Sequence, residues 1–277
     1  MQFLIDKHIC GEECCMSNTK QETLELVNSH IQMPKLLLKR FENKYNKFCY
    51  YDVQKDFVGT KGTSESTNTE YGYYSLATEE FLRDYIETPF GKLIAYIESI
   101  DFSQDQFCMP AGFEEATRNF VYALLARDPA VVGEIDKNSI FLQFLPVSQR
   151  HDLTARDGIA YAKRNNIFGE YILTFMVNYT EIPFVLPLMG LYNYSMGGYS
   201  IINLPISPTK ALCLVHKDYA SRLIHENGMV SMFMVDDPEQ LKKMNTFAFA
   251  AQKRHNWGCV ICPRREELDR LKNMETV

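Results

Sequence analysis

The chain has 277 residues, of which 46% are hydrophobic and 23% are charged, and its formal net charge is −6. This length and composition indicate a folded protein with a well-buried core and exclude a disordered chain. The acidic balance excludes a generic polyanion-binding protein, which would have a basic domain, but leaves a local basic face open.

The start of the chain, MQFLIDKHICGEECC, lacks the basic and apolar regions of a signal peptide. No stretch reaches the roughly 18 to 20 uninterrupted apolar residues that a membrane-spanning helix needs. We therefore expect a cytoplasmic protein without a membrane partner. The eight cysteines are then expected to be reduced thiols rather than a disulfide framework.

Residues 1–29 are predicted to be an N-terminal extension with a cysteine-rich start and one short helix. Thr19-Lys20-Gln21-Glu22 has the spacing of a capping box, which predicts that this helix runs to about Asn28. Residues 30–277 are predicted to form a single α+β domain. Its first element is a helix in residues 30–41, where Pro34 suits the first turn.

Residues 47–53, KFCYYDV, are rich in aromatic side chains and predict a strand. The polar residues 54–77 predict a long loop. Thr78 is predicted to cap a helix whose apolar positions are Phe81, Leu82, Tyr85 and Ile86, and Thr88-Pro89 either kinks that helix or caps a second one. Apolar spacing predicts a further helix in residues 113–127, and the polar residues 151–166 predict another.

The longest apolar, β-leaning run covers residues 171–215, and turn residues divide it into pieces of strand length. We expect this run to form the sheet on which the helices pack. Residues 229–235 predict a strand, Asp237-Pro238 predicts a helix start, residues 257–262 predict a strand, and Pro263 opens a terminal helix. The predicted fold is therefore α+β, with a mostly antiparallel central sheet and helices packed on it.

The cysteines suggest one metal site. Cys259-Val260-Ile261-Cys262 has zinc-ligand spacing, and the cysteine-rich start could complete a tetrahedral site. The candidate zinc ligands are Cys10, Cys14, Cys259 and Cys262. Buried or free thiols are the favoured alternative, because residues three apart in a strand face opposite sides of a sheet. We therefore expect no cofactor, with zinc as the alternative.

An acidic stripe and a basic set offer two further sites. Glu80, Asp84 and Glu87 fall on one helical face and could hold a divalent metal, although a solvated face is the usual meaning of such a stripe. A basic set around residues 242–265 could bind phosphate, although positive charge at a helix end is the simpler interpretation. No metalloprotease, phosphate-loop or hydrolase motif is present.

Several segments, taken in order, resemble a known family. The segments are HIQMPKLLLKRF, KFCYYD, LRDYIETPFGKLIAYIE, FVYALLARDP, MVNYTEIPFVLPLMG, NLPISPTKALCLV and MNTFAFAAQKRHNWGCV. Together they are similar to the bacterial domain-of-unknown-function family 4238, across most of residues 30–270. This resemblance implies an intracellular bacterial α+β domain and supplies no reaction, substrate or cofactor.

The chain departs from that family at two places. Where the family often has a histidine three residues before the proline, this chain has Ile31, and His30 is the histidine nearby. Where the family commonly reads Thr-Ser-Asp-Asn-Pro, this chain reads Leu-Pro-Leu-Met-Gly at residues 186–190. The resemblance therefore implies that polar groups suited to chemistry have been lost here.

Two functions remain open. The favoured one is a non-catalytic binding protein, such as a host-defence accessory, whose partner is another protein or a second copy of the chain. It predicts an exposed patch at Tyr192, Tyr194, Met196 and Tyr199. The alternative is an enzyme that cleaves nucleotide or nucleic-acid phosphodiesters. The resemblance implies the positions of its site, and the alternative requires the five side chains there to meet in one cleft: His30, Glu87, Arg127, Asn245 and Arg254.

Overall fold

The computed structural model describes residues 25–30, 33–63, 69–100, 106–108, 112–138, 144–196, 199–220, 223 and 229–274. The strands in these residues are, in chain order, β1 (Leu26–His30), β2 (Phe48–Asp52), β3 (Phe57–Lys61), β4 (Thr69–Ser75), β5 (Gln106–Cys108), β6 (Tyr171–Asn178), β7 (Leu186–Pro187), β8 (Tyr192–Met196), β9 (Tyr199–Ser207), β10 (Lys210–His216), β11 (Met229–Ser231), β12 (Phe233–Val235) and β13 (Cys259–Cys262).

The α-helices in the same residues are α1 (Lys35–Leu38), α2 (Leu76–Phe81), α3 (Thr88–Ser99), α4 (Phe113–Ala126), α5 (Pro129–Asn138), α6 (Val147–Arg164), α7 (Lys217–Ala220), α8 (Pro238–His255) and α9 (Arg265–Met274). A 3-10 turn at Lys39–Phe41 follows α1, and a π-turn at Leu82–Glu87 joins α2 to α3. None of the described helices combines the length and the apolar character needed to span a membrane.

The central apolar run supplies four strands of a five-stranded sheet with the order β12-β6-β10-β9-β8. Its neighbours are antiparallel except for β12, which runs parallel to β6. Alternate residues of β6 and β10 belong to two different core clusters, because successive side chains of a strand point to opposite faces. One face carries α4 and α6, and the other carries α8. This arrangement confirms the predicted α+β fold.

A second sheet has four antiparallel strands in the order β3-β2-β13-β7. In the hairpin of β2 and β3, Gly59 lies opposite Tyr50, and an added Cβ would be 2.6 Å from the Tyr50 ring. A side chain at residue 59 would therefore displace the Tyr50 ring. Two smaller ladders pair β1 with β4 and β5 with β11.

Three predicted elements are wrong. A helix was expected to run to about Asn28, but the described residues at its end form the strand β1. This strand begins four residues before residue 30, where the domain was expected to start. The expected loop at residues 54–77 instead contains β3, β4 and the start of α2. The last three residues of β4, Tyr73, Tyr74 and Ser75, are all buried, and antiparallel pairing with β1 offsets the low strand preference of the polar residues before them. The single strand predicted at residues 229–235 is two strands, β11 and β12, in different sheets.

Thr88-Pro89 does not end the helical run, because the π-turn accommodates the proline. The Thr88 N–H donates to the carbonyl of Arg83, five residues earlier. In a regular α-helix the ring of Pro89 would clash with the carbonyl four residues earlier. The wider π-turn relieves this clash, so helical structure continues from Leu76 to Ser99.

Candidate functional site

A buried charged cluster lies where β4, the π-turn and α4 meet. We call it the Arg127 cluster, and its members are Tyr74, Glu79, Glu87 and Arg127. Arg127 directly follows α4 and is 1% exposed. Its Nη1 donates to Glu87 Oε1 at 3.0 Å, and its guanidinium carbon lies 5.7 Å from the centre of the Tyr74 ring. Two of the five predicted catalytic residues are therefore in direct contact.

The π-turn explains why Glu87 reaches this cluster. In a regular α-helix Glu80, Asp84 and Glu87 would share one face. The additional residue of a π-turn rotates the positions after it by roughly 100°. Glu80 and Asp84 accordingly stay exposed beside Arg83, while Glu87 turns inward to Arg127. The predicted acidic stripe is thus divided by the backbone.

The Arg127 cluster holds its charges in an environment that shifts their protonation. Burial lowers the pKa of Arg127, but the three neighbouring side chains outweigh it and hold this pKa above its usual value. Burial raises the pKa of Glu79 above its usual value, against the opposing charge of Arg127. Burial also raises the pKa of Tyr74 to about 12. The cluster therefore holds one cation, one ion-paired carboxylate and one carboxyl that retains its proton more readily.

A second buried pair lies next to the cluster in sequence. His255, the last residue of α8, has its Nε2 2.8 Å from Asp128 Oδ1, and both side chains are less than 10% exposed. Asp128 Oδ1 also accepts the Ala130 N–H at 2.9 Å, which caps α5. The hydrogen bond to Asp128 raises the pKa of His255. This pair ties the end of α8 to the junction of α4 and α5.

The residue types of the Arg127 cluster would suit proton transfer and anion binding in an open cleft. Arg127 is nevertheless buried and bonded internally, so its guanidinium does not reach a surface where a substrate could bind. Removal of one partner from a buried pair of this kind leaves an uncompensated charge and destabilises the fold. The geometry favours a structural role for the cluster.

Asn245 and Gln252, on the inner face of α8, form hydrogen bonds with the backbone of a neighbouring extended segment. Asn245 accepts the Val185 N–H at 3.1 Å and donates to the Pro183 carbonyl at 2.9 Å. It also donates to Glu267 at 2.7 Å. Seven residues later, Gln252 accepts the N–H of Met189 at 2.9 Å. The two amides therefore fasten the extended segment 183–189 to the helix, a task that uses the functional groups of Asn245 completely.

The place of the family's polar motif is filled with apolar side chains. Leu186 and Leu188 are at most 2% exposed. Gly190 has a φ of +81°, and a Cβ added there would lie 2.9 Å from Leu124 and 3.3 Å from Met33. Three segments that carry the family resemblance therefore meet at this point. Their meeting is an apolar contact that leaves no space for a substrate.

The five predicted catalytic residues do not form one group. Asn245 lies on α8 ten residues before His255, which is the residue of that helix bonded to Asp128 next to Arg127. Ten residues correspond to about 15 Å along the helix axis. Arg254 is exposed on the same helix. His30 lies in β1, opposite Thr69, and its side chain is outside the described residues. Glu87 and Arg127 are the two that the structure brings together.

The cysteine pair of β13 is divided between the two faces of its sheet. Cys259 belongs to one core cluster and Cys262 to the other. Burial raises the pKa of Cys259 to about 12 and moves that of Cys262 in the same direction. Cys10 and Cys14 lie outside the described residues. Within the part of the chain that the structure describes, no group of three or more His, Cys, Asp or Glu side chains is arranged to hold a metal ion.

The expected exposed aromatic patch is wrong at two of its four positions. Tyr192 and Tyr194 are 3% and 7% exposed, because β8 turns both side chains onto the core under α8. Tyr194 packs edge-on against Phe247 with ring centres 5.4 Å apart. The side chains of Met196 and Tyr199 lie outside the description. Tyr192 and Tyr194 are two positions apart in β8 and therefore share its buried face.

An open groove lies between the π-turn with α3, α4 and α6, and we call it the three-helix groove. It joins two hollows of about 580 Å³ and 350 Å³ that share Pro89, Gly112 and Ala116. The small side chains on α4 leave this space between the helices. On its rim, Tyr85 is 69% and Tyr96 is 42% exposed. The grouping of Tyr85 with the apolar positions Leu82 and Ile86 assumes α-helical spacing, whereas in the π-turn Leu82 and Ile86 are buried and Tyr85 is exposed.

The rim of the groove is more basic than the rest of the chain. Lys92, Arg156 and Lys163 line it, against one acidic residue, Glu115, which pairs with Lys163 at 3.0 Å. Arg156 Nε donates to Thr78 Oγ1 at 3.0 Å, which holds this guanidinium at the wall. A groove with an apolar floor and a basic rim suits an amphipathic, acidic ligand.

Two members of the predicted basic set around α8 form local ion pairs on exposed helix faces. Lys242 pairs with Glu239 at 2.7 Å, and Arg265 pairs with Asp269 at 3.3 Å. These are neighbouring residues on exposed helix faces, where such pairs are common.

Comparison with known protein families, with curated proteins and with solved structures gives no match to this chain.

Proposed function

We propose that the protein is a non-catalytic binding component of the bacterial cytoplasm, and that a partner protein docks in the three-helix groove. One contrast supports this proposal above the others. Arg127, the side chain best suited to bind a phosphate, is 1% exposed, while Tyr85 beside the groove is 69% exposed. Tyrosine and arginine are the residues most enriched where proteins bind each other.

The partner segment is expected to be an acidic amphipathic helix. A groove between helices accepts the apolar face of another helix, whose contacts recur every three to four residues. Tyr85, Pro89, Lys92 and Tyr96 recur with this spacing along one wall. The three basic residues of the rim favour carboxylates on the polar face of the partner.

The test compares partner capture by two matched pairs of substitutions. Tyr85→Ser with Tyr96→Ser should abolish capture of the partner from the native host, because both rim aromatics are removed. Tyr45→Ser with Tyr179→Ser, at tyrosines that are 71% and 53% exposed but do not line the groove, should leave capture unchanged. Equal capture by both double variants would show that the groove is the wrong surface.

A second arm tests the absence of catalysis. The purified protein is incubated with Mg²⁺ or Mn²⁺ and a set of nucleotide and oligonucleotide phosphodiesters. No turnover above the metal-only blank is expected. Turnover that Arg127→Met abolishes would refute the proposal and restore the enzyme alternative.

A further inference from the structure

Two cysteines lie directly opposite each other in the four-stranded sheet. Cys49 in β2 is the register partner of Cys262 in β13. Both are free thiols, and both belong to the core cluster on the side of α8 and α9. This cross-strand pair is distinct from the pair with zinc-ligand spacing, whose members face opposite sides of the sheet.

The hydrogen-bond pattern fixes the separation of the pair. The Val53 N–H donates to the Gly258 carbonyl at 3.1 Å, which makes these two residues a hydrogen-bonded pair of the ladder. Hydrogen-bonded pairs recur at every second position, so Cys49 and Cys262 form one as well. Their Cα atoms are then about 5.5 Å apart. Disulfides span Cα separations of about 4.4 to 6.8 Å, so the Cα separation of this pair lies within the range that a disulfide bridges.

The other described cysteines lack such a neighbour. Cys259 lies opposite Asp52 in the register of β13 with β2. Cys213 lies opposite Asn203, and its Sγ is 3.2 Å from Asn203 Oδ1. Among the four cysteines whose surroundings the structure describes, Cys49 and Cys262 are thus the ones placed to react with each other.

The two thiols differ in their access to solvent. Cys49 is 6% exposed, and its Sγ is 3.8 Å from the hydroxyl of Thr60, an exposed residue of the edge strand β3. Cys262 is fully buried, and this burial raises the pKa of its thiol despite the opposing backbone N–H of Arg264. A small oxidant can approach along β3 and meet Cys49 first.

We propose that Cys49 and Cys262 form a reversible redox modification site for a small hydroperoxide. The Cys49 sulfur attacks one peroxide oxygen, the O–O bond breaks, and the sulfur becomes a sulfenic acid as the second oxygen leaves as water or alcohol. The Cys262 thiol then attacks the Cys49 sulfur, a disulfide forms, and the sulfenic oxygen leaves as water with the thiol proton. The two thiols are oxidised and the peroxide is reduced.

The ladder geometry makes the bond reversible rather than permanent. Cβ atoms of directly opposite residues are about 4.5 to 5.5 Å apart and are farther apart in hydrogen-bonded pairs. Relaxed disulfides have Cβ separations of about 3.5 to 4.5 Å. Strained disulfides are more easily reduced and act as labile, regulatory bonds. Ordinary cellular thiols should therefore reopen this one.

The experiment is oxidation of the native full-length protein with hydrogen peroxide, followed by thiol blocking, digestion and mass spectrometry. We expect a cross-linked peptide pair that contains Cys49 and Cys262, with the mass lower by two hydrogen atoms. Reduced glutathione should restore both free thiols. Cys213→Ser and Cys259→Ser should retain the cross-link, whereas Cys262→Ser should abolish it.

Three outcomes would overturn the proposal. They are free Cys49 and Cys262 after oxidation, a cross-link that appears in denaturant alone, and a cross-link that glutathione does not reduce. Because Cys262→Ser could fail to fold, peptide mapping of the wild-type protein decides the result by itself.

Discussion

Replacing Arg127 by methionine tests whether the Arg127 cluster is a buried charge network. Methionine keeps the apolar stem and removes the cation, so Glu87 loses a charged hydrogen bond at 3.0 Å and Glu79 loses its nearest opposing charge. Removing one partner of a buried ion pair costs about 3 to 5 kcal/mol. The Glu87 side chain is 24% exposed and regains some water, which places the expected loss near the lower limit, about 3 kcal/mol.

The assay is urea unfolding followed by circular dichroism. With a slope of about 3 kcal/mol per M of urea, a loss of that size lowers the midpoint by about 1 M. Arg83→Met is the matched control, because Arg83 is also paired with acidic residues but its side chain is 58% exposed. The control should change stability by less than about 0.5 kcal/mol. Equal losses in the two variants would refute a buried network.

The pH dependence provides an independent check through Glu79. A carboxyl whose pKa is raised in the folded state favours folding at low pH, and this contribution is lost as the pH rises above the ordinary value of 4.5. Without Arg127 the pKa of Glu79 should rise further. The loss of unfolding free energy caused by Arg127→Met should therefore grow as the pH rises above 4.5, and adding Glu79→Gln should reduce this loss at neutral pH. A pH-independent deficit would contradict this account.

Three further predictions use the same urea assay. Gly190→Ala should lower the free energy of unfolding, because a φ of +81° is strained for alanine and the new Cβ would lie 2.9 Å from a leucine side chain. Gly91→Ala, in open space within α3, should instead raise the free energy of unfolding by about 0.5 to 1 kcal/mol. His255→Gln should lower the urea midpoint most below pH 6.5, because the hydrogen bond to Asp128 raises the pKa of His255 above 6.5. The stabilisation by protonated His255 is lost as the pH rises through this raised pKa, so a larger loss of stability at alkaline pH would contradict the prediction. Asn245→Ala should lower the free energy of unfolding by about 2 to 4 kcal/mol, because it leaves a buried backbone N–H and a buried carbonyl unpaired. The control Asn193→Ala, at an exposed position, should lower it by less than about 0.5 kcal/mol, and equal losses would refute the role of Asn245 in holding segment 183–189.

The sequence predicted the sheet and the helices wherever apolar spacing was regular over many residues. Strands β6 and β10 alternate between two buried faces, and α4 has a continuous inner stripe, so the pattern identifies both kinds of element. The pattern failed in short polar elements. Strands β1 and β4 form through pairing with each other, which composition alone does not show.

The candidate sites were harder to predict because they depend on contacts between distant residues. His255 and Asp128 are 127 residues apart, and no local signal links them. Glu87 and Arg127 were named together through the family resemblance, not through their spacing. The three-helix groove depends on a π-turn that exposes Tyr85. A proline within an otherwise helical pattern was the one signal that could have indicated this change of register.

The position of β13 has a consequence for how the protein folds during synthesis. This strand lies in the middle of its sheet, between β2 and β7, yet it comes from the last part of the chain, roughly 200 residues after β2. Pairing over such a distance is entropically costly and slow. Until residues 259–262 have been made, β2 keeps an unpaired inner edge that can pair with another chain. A nascent chain that ends before β13 should therefore aggregate readily, and dependence on chaperones during translation is expected.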